Sequence, residues 1–444
     1  MSATQVVVAL TVLPVWPILL ISGLLRDSDP LVLASVLTAA LITALITYHA
    51  VRRAKWALIT ILVVAVIALS INFRTRDYGA TGLDWQNGLK LVIWSIMLLV
   101  SAVNWRSVVG RCCDPVVGLL ALFVCVGILS STYSVVPAYS AACALSLAAY
   151  LGFACLLAGE FGQVRLVQIL LWAMAGYLVL NWTITIFWPE IGFMEGHDEA
   201  ARLQGVSGHP NSLARQANVF VCLAIGAFYR GLLSRRAFWS SCVLGGSTVI
   251  ATDSRTAVIS LLVPLILVAL QSRRFLLPGT LILALGAAVA AQSIDLSEFS
   301  RSGSGEEVLT LTGRTELWSF VMQEIAKHPL IGHGFSSFEA TVVDQWYGNP
   351  DAGVATHNNF LEIIYSCGIF GFIPFGGALA ILLARWLKCP NVLYDLFLLD
   401  MLVTSCTEVD ISLVVLPTLV WFILLALDDR PGFLTSHLRR SAHV

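Results

Sequence analysis

Residues 138–158 read AYSAACALSLAAYLGFACLLA, an uninterrupted stretch without one charged side chain. Coiled as an α-helix it would rise about 32 Å, enough to cross the roughly 30 Å hydrocarbon core of a bilayer. Outward from it, similar runs recur along the chain: 6–25, 31–50, 56–73, 89–105, 115–131, 166–188, 212–229, 238–252, 256–271, 275–292, 357–384, 391–406 and 411–427. With 138–158 they make fourteen, the short pair 238–252 and 256–271 being the weakest. The composition agrees: of 444 residues, 58% are hydrophobic and 12% charged, with mean hydropathy +0.84, against roughly 25% charged in soluble proteins. The runs show no period-2 alternation, which excludes a β-barrel. The expected fold is all-α, a polytopic membrane protein of about 12–14 transmembrane helices. Residues 1–200 are expected to form an N-terminal membrane region, 201–430 a second region that ends in the last spans, and 431–444 a tail. Met1–Gln5 lack Lys and Arg, so 6–25 reads as a retained span rather than a cleaved signal peptide.

Net charge is −1, which argues against nucleic acid as a partner. Basic residues cluster at Arg52/Arg53/Lys55, Arg106/Arg111, Arg165, Arg230/Arg235/Arg236, Arg273/Arg274, Arg385/Lys388 and Arg430/Arg439/Arg440, all on one side of a fourteen-span count. By the positive-inside rule that side is cytoplasmic. Both termini are then cytoplasmic, and one long polar loop, 293–356, is extracytoplasmic. No nucleotide-binding glycine loop stands in a strand-to-helix context, so the energy for any reaction must already reside in the substrate or in a gradient. None of the ten cysteines lies within 293–356 and there is no C-x-x-C; they read as small apolar fillers.

The long loop carries Arg301, Arg314, Glu306, Glu307, His328 and His333, and it ends in His357-Asn358 at the mouth of a span. Arginine offers a permanent fork of donors suited to phosphate, and histidine takes a proton near neutral pH. Arg314 opens an amphipathic helix with Leu317, Phe320, Val321 and Ile325 on one face and Glu316, Gln323, Glu324 and Lys327 opposite. A cation in a first turn is unfavourable unless an anion shares the site; the alternative is an exposed side chain paired with Glu316 or Glu307. His357 is either an interfacial cap or a base, since the positive pole of its helix favours the neutral imidazole that a base requires. Arg255, in a hinge between two spans, is either a headgroup anchor near Asp253 or a fixed cation facing a lipid-linked phosphate. His209-Pro210-Asn211-Ser212 suits an ordinary N-cap, whereas Arg215, one turn further, would lie within the bilayer. Glu408 and Asp410 form an acidic tip that binds acceptor hydroxyls or caps a turn. His328 and His333 share no helical face, and no carboxylate stands near them at metal-ligand spacing.

In order, Gly208-His209-Pro210-Asn211, Asp253-Ser254-Arg255-Thr256-Ala257, Gly313-Arg314-Thr315-Glu316-Leu317-Trp318, His328-Pro329-Leu330-Ile331-Gly332-His333-Gly334 and His357-Asn358-Asn359-Phe360-Leu361-Glu362 resemble the motifs of the O-antigen ligase and polysaccharide polymerase family of bacterial inner membranes. Leu129-Ser130-Ser131-Thr132-Tyr133-Ser134 with Pro137 resembles its exopolysaccharide-polymerase branch. The resemblance implies a GT-C-like, inverting, metal-independent glycosyltransferase without cofactor, active on the periplasmic face. Its donor would be an undecaprenyl-diphosphate-linked glycan, its acceptor a glycan or lipid core, and other polysaccharide assembly proteins would be partners. By position, Arg255 and Arg314 match the family arginines that hold the donor diphosphate, and His357 matches the histidine that activates the acceptor hydroxyl. Arg215, His209, Asn358 and Glu408 are supporting candidates. A transporter or flippase for lipid-linked sugars is the competing expectation; it would need charges in mid-span, where the sequence reads as poor in them.

Overall fold

The computed structural model describes residues 30–72, 85–194, 201–271, 314–342 and 355–430. The expected spans 6–25 and 275–292, together with Arg301, Glu306 and Glu307, lie outside the described residues. The other twelve expected spans fall on helices. In chain order these and their connecting helices are α1 (Pro30–Val51), α2 (Lys55–Ala68), α3 (Trp85–Val103), α4 (Trp105–Arg111), α5 (Pro115–Ser130), α6 (Pro137–Glu160), α7 (Gln163–Phe187), α8 (Pro189–Gly192), α9 (Pro210–Tyr229), α10 (Arg235–Ala251), α11 (Arg255–Gln271), α12 (Arg314–Lys327), α13 (Phe338–Val342), α14 (Asn359–Lys388), α15 (Val392–Ser405) and α16 (Leu416–Leu427). The only described sheet is a two-residue antiparallel pair, Phe193–Met194 with Arg202–Leu203. The chain is an all-α polytopic membrane protein.

Five described helices are long and apolar enough to cross a membrane by themselves: α3, α6, α7, α9 and α14, or six if the bent pair α4–α5 counts as one. Others are shorter. The 14 residues of α15 and the 12 of α16 rise about 21 and 18 Å, less than a hydrocarbon core. Both are buried along nearly their whole length, and the segment between them, 406–415, carries buried Glu408, Val409, Asp410, Ile411 and Ser412. The two expected spans 391–406 and 411–427 are thus the arms of a hairpin whose tip lies inside the protein. Irregular backbone at such a place must find its hydrogen bonds within the protein, and it does. Asn358 Nδ2 donates to Cys406 O, Asn359 Oδ1 accepts from Ile411 N, and Thr418 Oγ1 donates to Asp410 O.

The expected span 357–384 is covered by α14, which the structure shows to be interrupted. Helix α14 breaks at Gly368, whose φ of 60° and ψ of −164° are non-helical. The segment 329–334 fills the break: His333 N and Gly334 N donate to the carbonyls of Tyr365 and Ser366, while Ile369 N and Phe370 N donate to those of Pro329 and Leu330. A Cβ at Gly368 would stand 2.3 Å from the Leu330 carbonyl group, so only glycine admits this approach. The sequence at the break, Cys367-Gly368-Ile369-Phe370, is simply apolar, and no local feature distinguishes it from helix. Ser130 Oγ accepts from Phe335 N and Tyr133 OH donates to Ile331 O, so the upstream Ser-Ser-Thr-Tyr-Ser element clamps the same segment from the other side.

Helix α9 is the buried axis of the second half, enclosed by α10, α11 and α15. Gly226 meets Leu393 and Gly245 of α10 meets Val221 at distances that exclude a Cβ, the close approach that small residues allow between membrane helices. At the opposite end from the hairpin tip, basic residues counted towards orientation are not free charges. Arg385 pairs with Asp114 and Asp428, Arg430 with Asp395 and Asp428, and Arg53 with Glu160. Nor are the spans poor in charge: Arg215, Glu362, Arg385, Asp395 and Asp400 are all buried within helices.

Candidate active site

Four elements converge on Glu408. The N-terminal turn of α9 brings Asn211 and Arg215; α12 begins at Arg314; the segment before α14 brings His357; the hairpin tip brings Glu408 itself. Arg314 Nη2 lies 3.4 Å from Glu408 Oε1 and Asn211 Nδ2 lies 3.4 Å from the same oxygen. The second oxygen, Oε2, lies 3.9 Å from both Arg215 Nη1 and His357 Nδ1. Burial alone would raise the Glu408 pKa; the His357 ring and the guanidinium charges of Arg215 and Arg314 outweigh it and lower the pKa to about 2. Glu408 is therefore an anion at neutral pH.

The two arginines of the cluster are held differently. Arg215 is fixed by a tight, buried pair with Asp410 and also reaches Ser212 Oγ. Arg314 donates from Nη1 to Thr407 O at 2.6 Å and is the more exposed, 16% against 10% of its side chain. Its charge partner is Glu408, not Glu316. On α12, Leu317 and Val321 are buried as the amphipathic pattern predicts, but so is Glu324 from the expected polar face. The segment 328–337 folds back across it, with His333 Nε2 3.0 Å from Glu324 O.

His357 has a left-handed backbone, φ 50°, and its side chain is 22% exposed. The cap of α14 is Asn358, whose Oδ1 accepts from Phe360 N and Leu361 N. His357 is thereby relieved of the capping role, and its Nδ1 is buried with no hydrogen-bond partner. His209 is the N-cap of α9, its Nδ1 accepting from Asn211 N at 3.1 Å. That bond leaves its proton on Nε2. His209 is exposed; the surrounding protein lowers its pKa, opposed by Glu408 and reinforced by Arg215 and Arg202.

Arg255 opens α11 and is exposed; it is not among the residues touching Glu408. Its hinge is nevertheless tied to the cluster by Arg202, a buried residue that sequence reasoning missed. Arg202 donates to Thr252 O, Asp253 O and Asn211 Oδ1, linking the Arg255 hinge to the side chain that holds Glu408. As the one arginine in a loop otherwise carrying Glu195, Asp198 and Glu199, it offered a weak sign. Asn359, which holds the hairpin tip through Ser405 and Ile411, was also missed. His328 and His333 lie ring to ring, centroids 4.9 Å apart, away from this cluster, and His333 stacks on Tyr365.

Residues 240–376 match the family model described as O-antigen ligase. This stretch is similar to O-antigen ligases. It includes Arg255, Arg314, His357 and Asn358, while Asn211 and Arg215 come from α9 before the matched residues and Glu408 and Asp410 from the hairpin tip after them. The matched residues and their flanks thus share one cluster. A search among curated proteins returns no match to the chain.

Proposed function

We propose that the cluster is the active site of a membrane glycosyltransferase that transfers or polymerises an undecaprenyl-diphosphate-linked oligosaccharide on the extracytoplasmic face of a bacterial inner membrane. The observation that carries the reading is the convergence of a partly exposed guanidinium, Arg314, and an uncapped histidine, His357, on one ionised carboxylate within an O-antigen ligase setting.

Arg314 takes one face of the donor diphosphate, and Arg255, held on its hinge by Arg202, supplies a second cation. As the bond between the anomeric carbon and the phosphate oxygen breaks, its electron pair passes to the diphosphate, whose growing charge the guanidinium fork stabilises. The acceptor hydroxyl oxygen forms the new bond to the anomeric carbon from the opposite side, inverting it. His357 receives the hydroxyl proton, a contribution typically worth about 10²–10⁴ in rate. Arg215, neutralised by Asp410, orients rather than binds; His209 and Asn358 hold Asn211 and the hairpin tip in register. The acceptor is a second glycan or a lipid core, and other polysaccharide assembly proteins complete the system.

His357→Ala in membranes is the test: polymer or ligated product is lost while the protein remains inserted. Normal product overturns the assignment. A second reading draws on buried Asp400 in α15, a mid-span acid of the kind a flippase or proton-coupled transporter uses. Movement of a labelled lipid-linked sugar across vesicles by His357→Ala protein would favour that reading.

A further inference from the structure

Glu408 is placed among four donors and held closely by none of them. The distances to Arg314 and Asn211 are 3.4 Å and those to Arg215 and His357 are 3.9 Å, whereas charge-assisted hydrogen bonds are usually about 2.7–2.9 Å. The neighbouring acid behaves differently: Asp410 grips Arg215 tightly. Arg215 therefore has its counter-ion, and among the described residues Glu408 is the only carboxylate that pairs with Arg314. Meanwhile His357 Nδ1 is buried with no hydrogen bond made, and Glu408 Oε2 stands 3.9 Å from it.

We propose that Glu408 is a positioning residue that changes partner during the reaction, leaving Arg314 when a lipid-linked diphosphate arrives and closing onto His357 Nδ1. The inference rests on the donor-site reading above. A diphosphate carries more charge than a carboxylate and matches the guanidinium fork with two oxygens, so it outcompetes a contact of 3.4 Å. Its charge also repels Glu408 away from Arg314, towards His357 Nδ1, which makes no hydrogen bond of its own. The required movement is small, a closure of about 1 Å to reach ordinary hydrogen-bond length. Asn211, fixed by Arg202, is neutral and holds Oε1 through the exchange. Once bonded to Glu408, Nδ1 carries the proton, Nε2 presents its lone pair to the acceptor, and the carboxylate stabilises the imidazolium that forms. No covalent bond changes in this step. It makes the base competent only when the donor is in place, so donor binds before acceptor.

The test uses the purified full-length chain in lipid nanodiscs, with glycan-free undecaprenyl diphosphate as the probe. Glu408→Gln removes the internal competitor, so the lipid diphosphate should bind about threefold to tenfold more tightly while turnover falls at least about tenfold. Glu408→Asp, whose carboxylate is one methylene further from both partners, should move both quantities the same way by less, and stands in if Glu408→Gln does not fold. A purely structural role for Glu408 would weaken binding and turnover together. Unchanged or weaker binding of the lipid diphosphate by a folded variant overturns the exchange. If Arg314→Ala binds the probe as wild type does, the donor-site reading itself fails, a result distinct from the first.

Discussion

Removing Asp410 should damage this protein more than removing Asp410 and Arg215 together. The Asp410 carboxylate is 3% exposed and the Arg215 guanidinium side chain 10%. With Asp410→Ala, Arg215 keeps its charge in the protein interior with its nearest remaining carboxylate, Glu408, 3.9 Å away. Stranding one partner of a buried ion pair typically costs about 3–5 kcal/mol. Replacing both partners by apolar residues, Arg215→Met with Asp410→Ala, removes the stranded charge, and such exchanges are often close to neutral. The double variant should therefore recover at least about 2 kcal/mol of the single variant's loss, a coupling expected for residues in direct contact. Unfolding in mixed detergent, followed by tryptophan fluorescence, gives the free energies. Two results would refute the reasoning: an Asp410→Ala protein within about 0.5 kcal/mol of wild type, or a double variant as unstable as the single one. The same single variant should also lose glycan transfer, because an unpaired Arg215 draws Glu408 away from His357.

Arg314→Lys keeps the charge but loses the fork, and kcat/KM should fall by about tenfold to a hundredfold; activity near wild type in a transfer assay would show that a point charge suffices. Gly368→Ala forces a side chain into a positive-φ backbone with ψ of −164°, a region essentially confined to glycine, at about 1–3 kcal/mol, and drives its Cβ against Leu330. Loss of monodisperse protein on size-exclusion chromatography is expected, and a well-behaved variant would contradict the broken-helix account. The pKa of Glu408 is lowered on folding to about 2, so the stability that its charge contributes is present above about pH 4.5 and is lost as pH falls through about 2. Melting temperatures of wild type and Glu408→Gln should therefore differ at pH 6 and converge towards pH 2; a constant difference across that range counts against the charge as the cause.

Much of the fold could be read in the chain because length and apolarity are local properties: 138–158 and 166–188 announce themselves, and α6 and α7 cover them. The break at Gly368 could not, because what permits it is a distant segment, 329–334, supplying four backbone hydrogen bonds. The same holds for the hairpin tip. Thr404-Ser405-Cys406-Thr407-Glu408 reads as a turn, and the side chains of Asn211, Asn358, Asn359, Arg215 and Arg314 make the burial of Glu408 and its neighbours tolerable. Residue types with few bland uses in a membrane protein, Arg314 and His357 among them, were visible as candidates. Their partners were not, since Glu408 is some fifty residues from one and more than ninety from the other, and nothing local links them. Arg385 and Arg430 mislead in the opposite direction: as sequence they count towards orientation, while in the structure they are buried partners of Asp114, Asp395 and Asp428.

The most direct measurement incubates the purified chain with an undecaprenyl-diphosphate oligosaccharide and no other protein or nucleotide. Glycan transfer that depends on His357 and Arg314 is predicted, appearing as a ladder if the acceptor is a second donor molecule, or only after a lipid-core acceptor is added. No transfer under either condition from folded, lipid-diphosphate-binding protein would contradict the account.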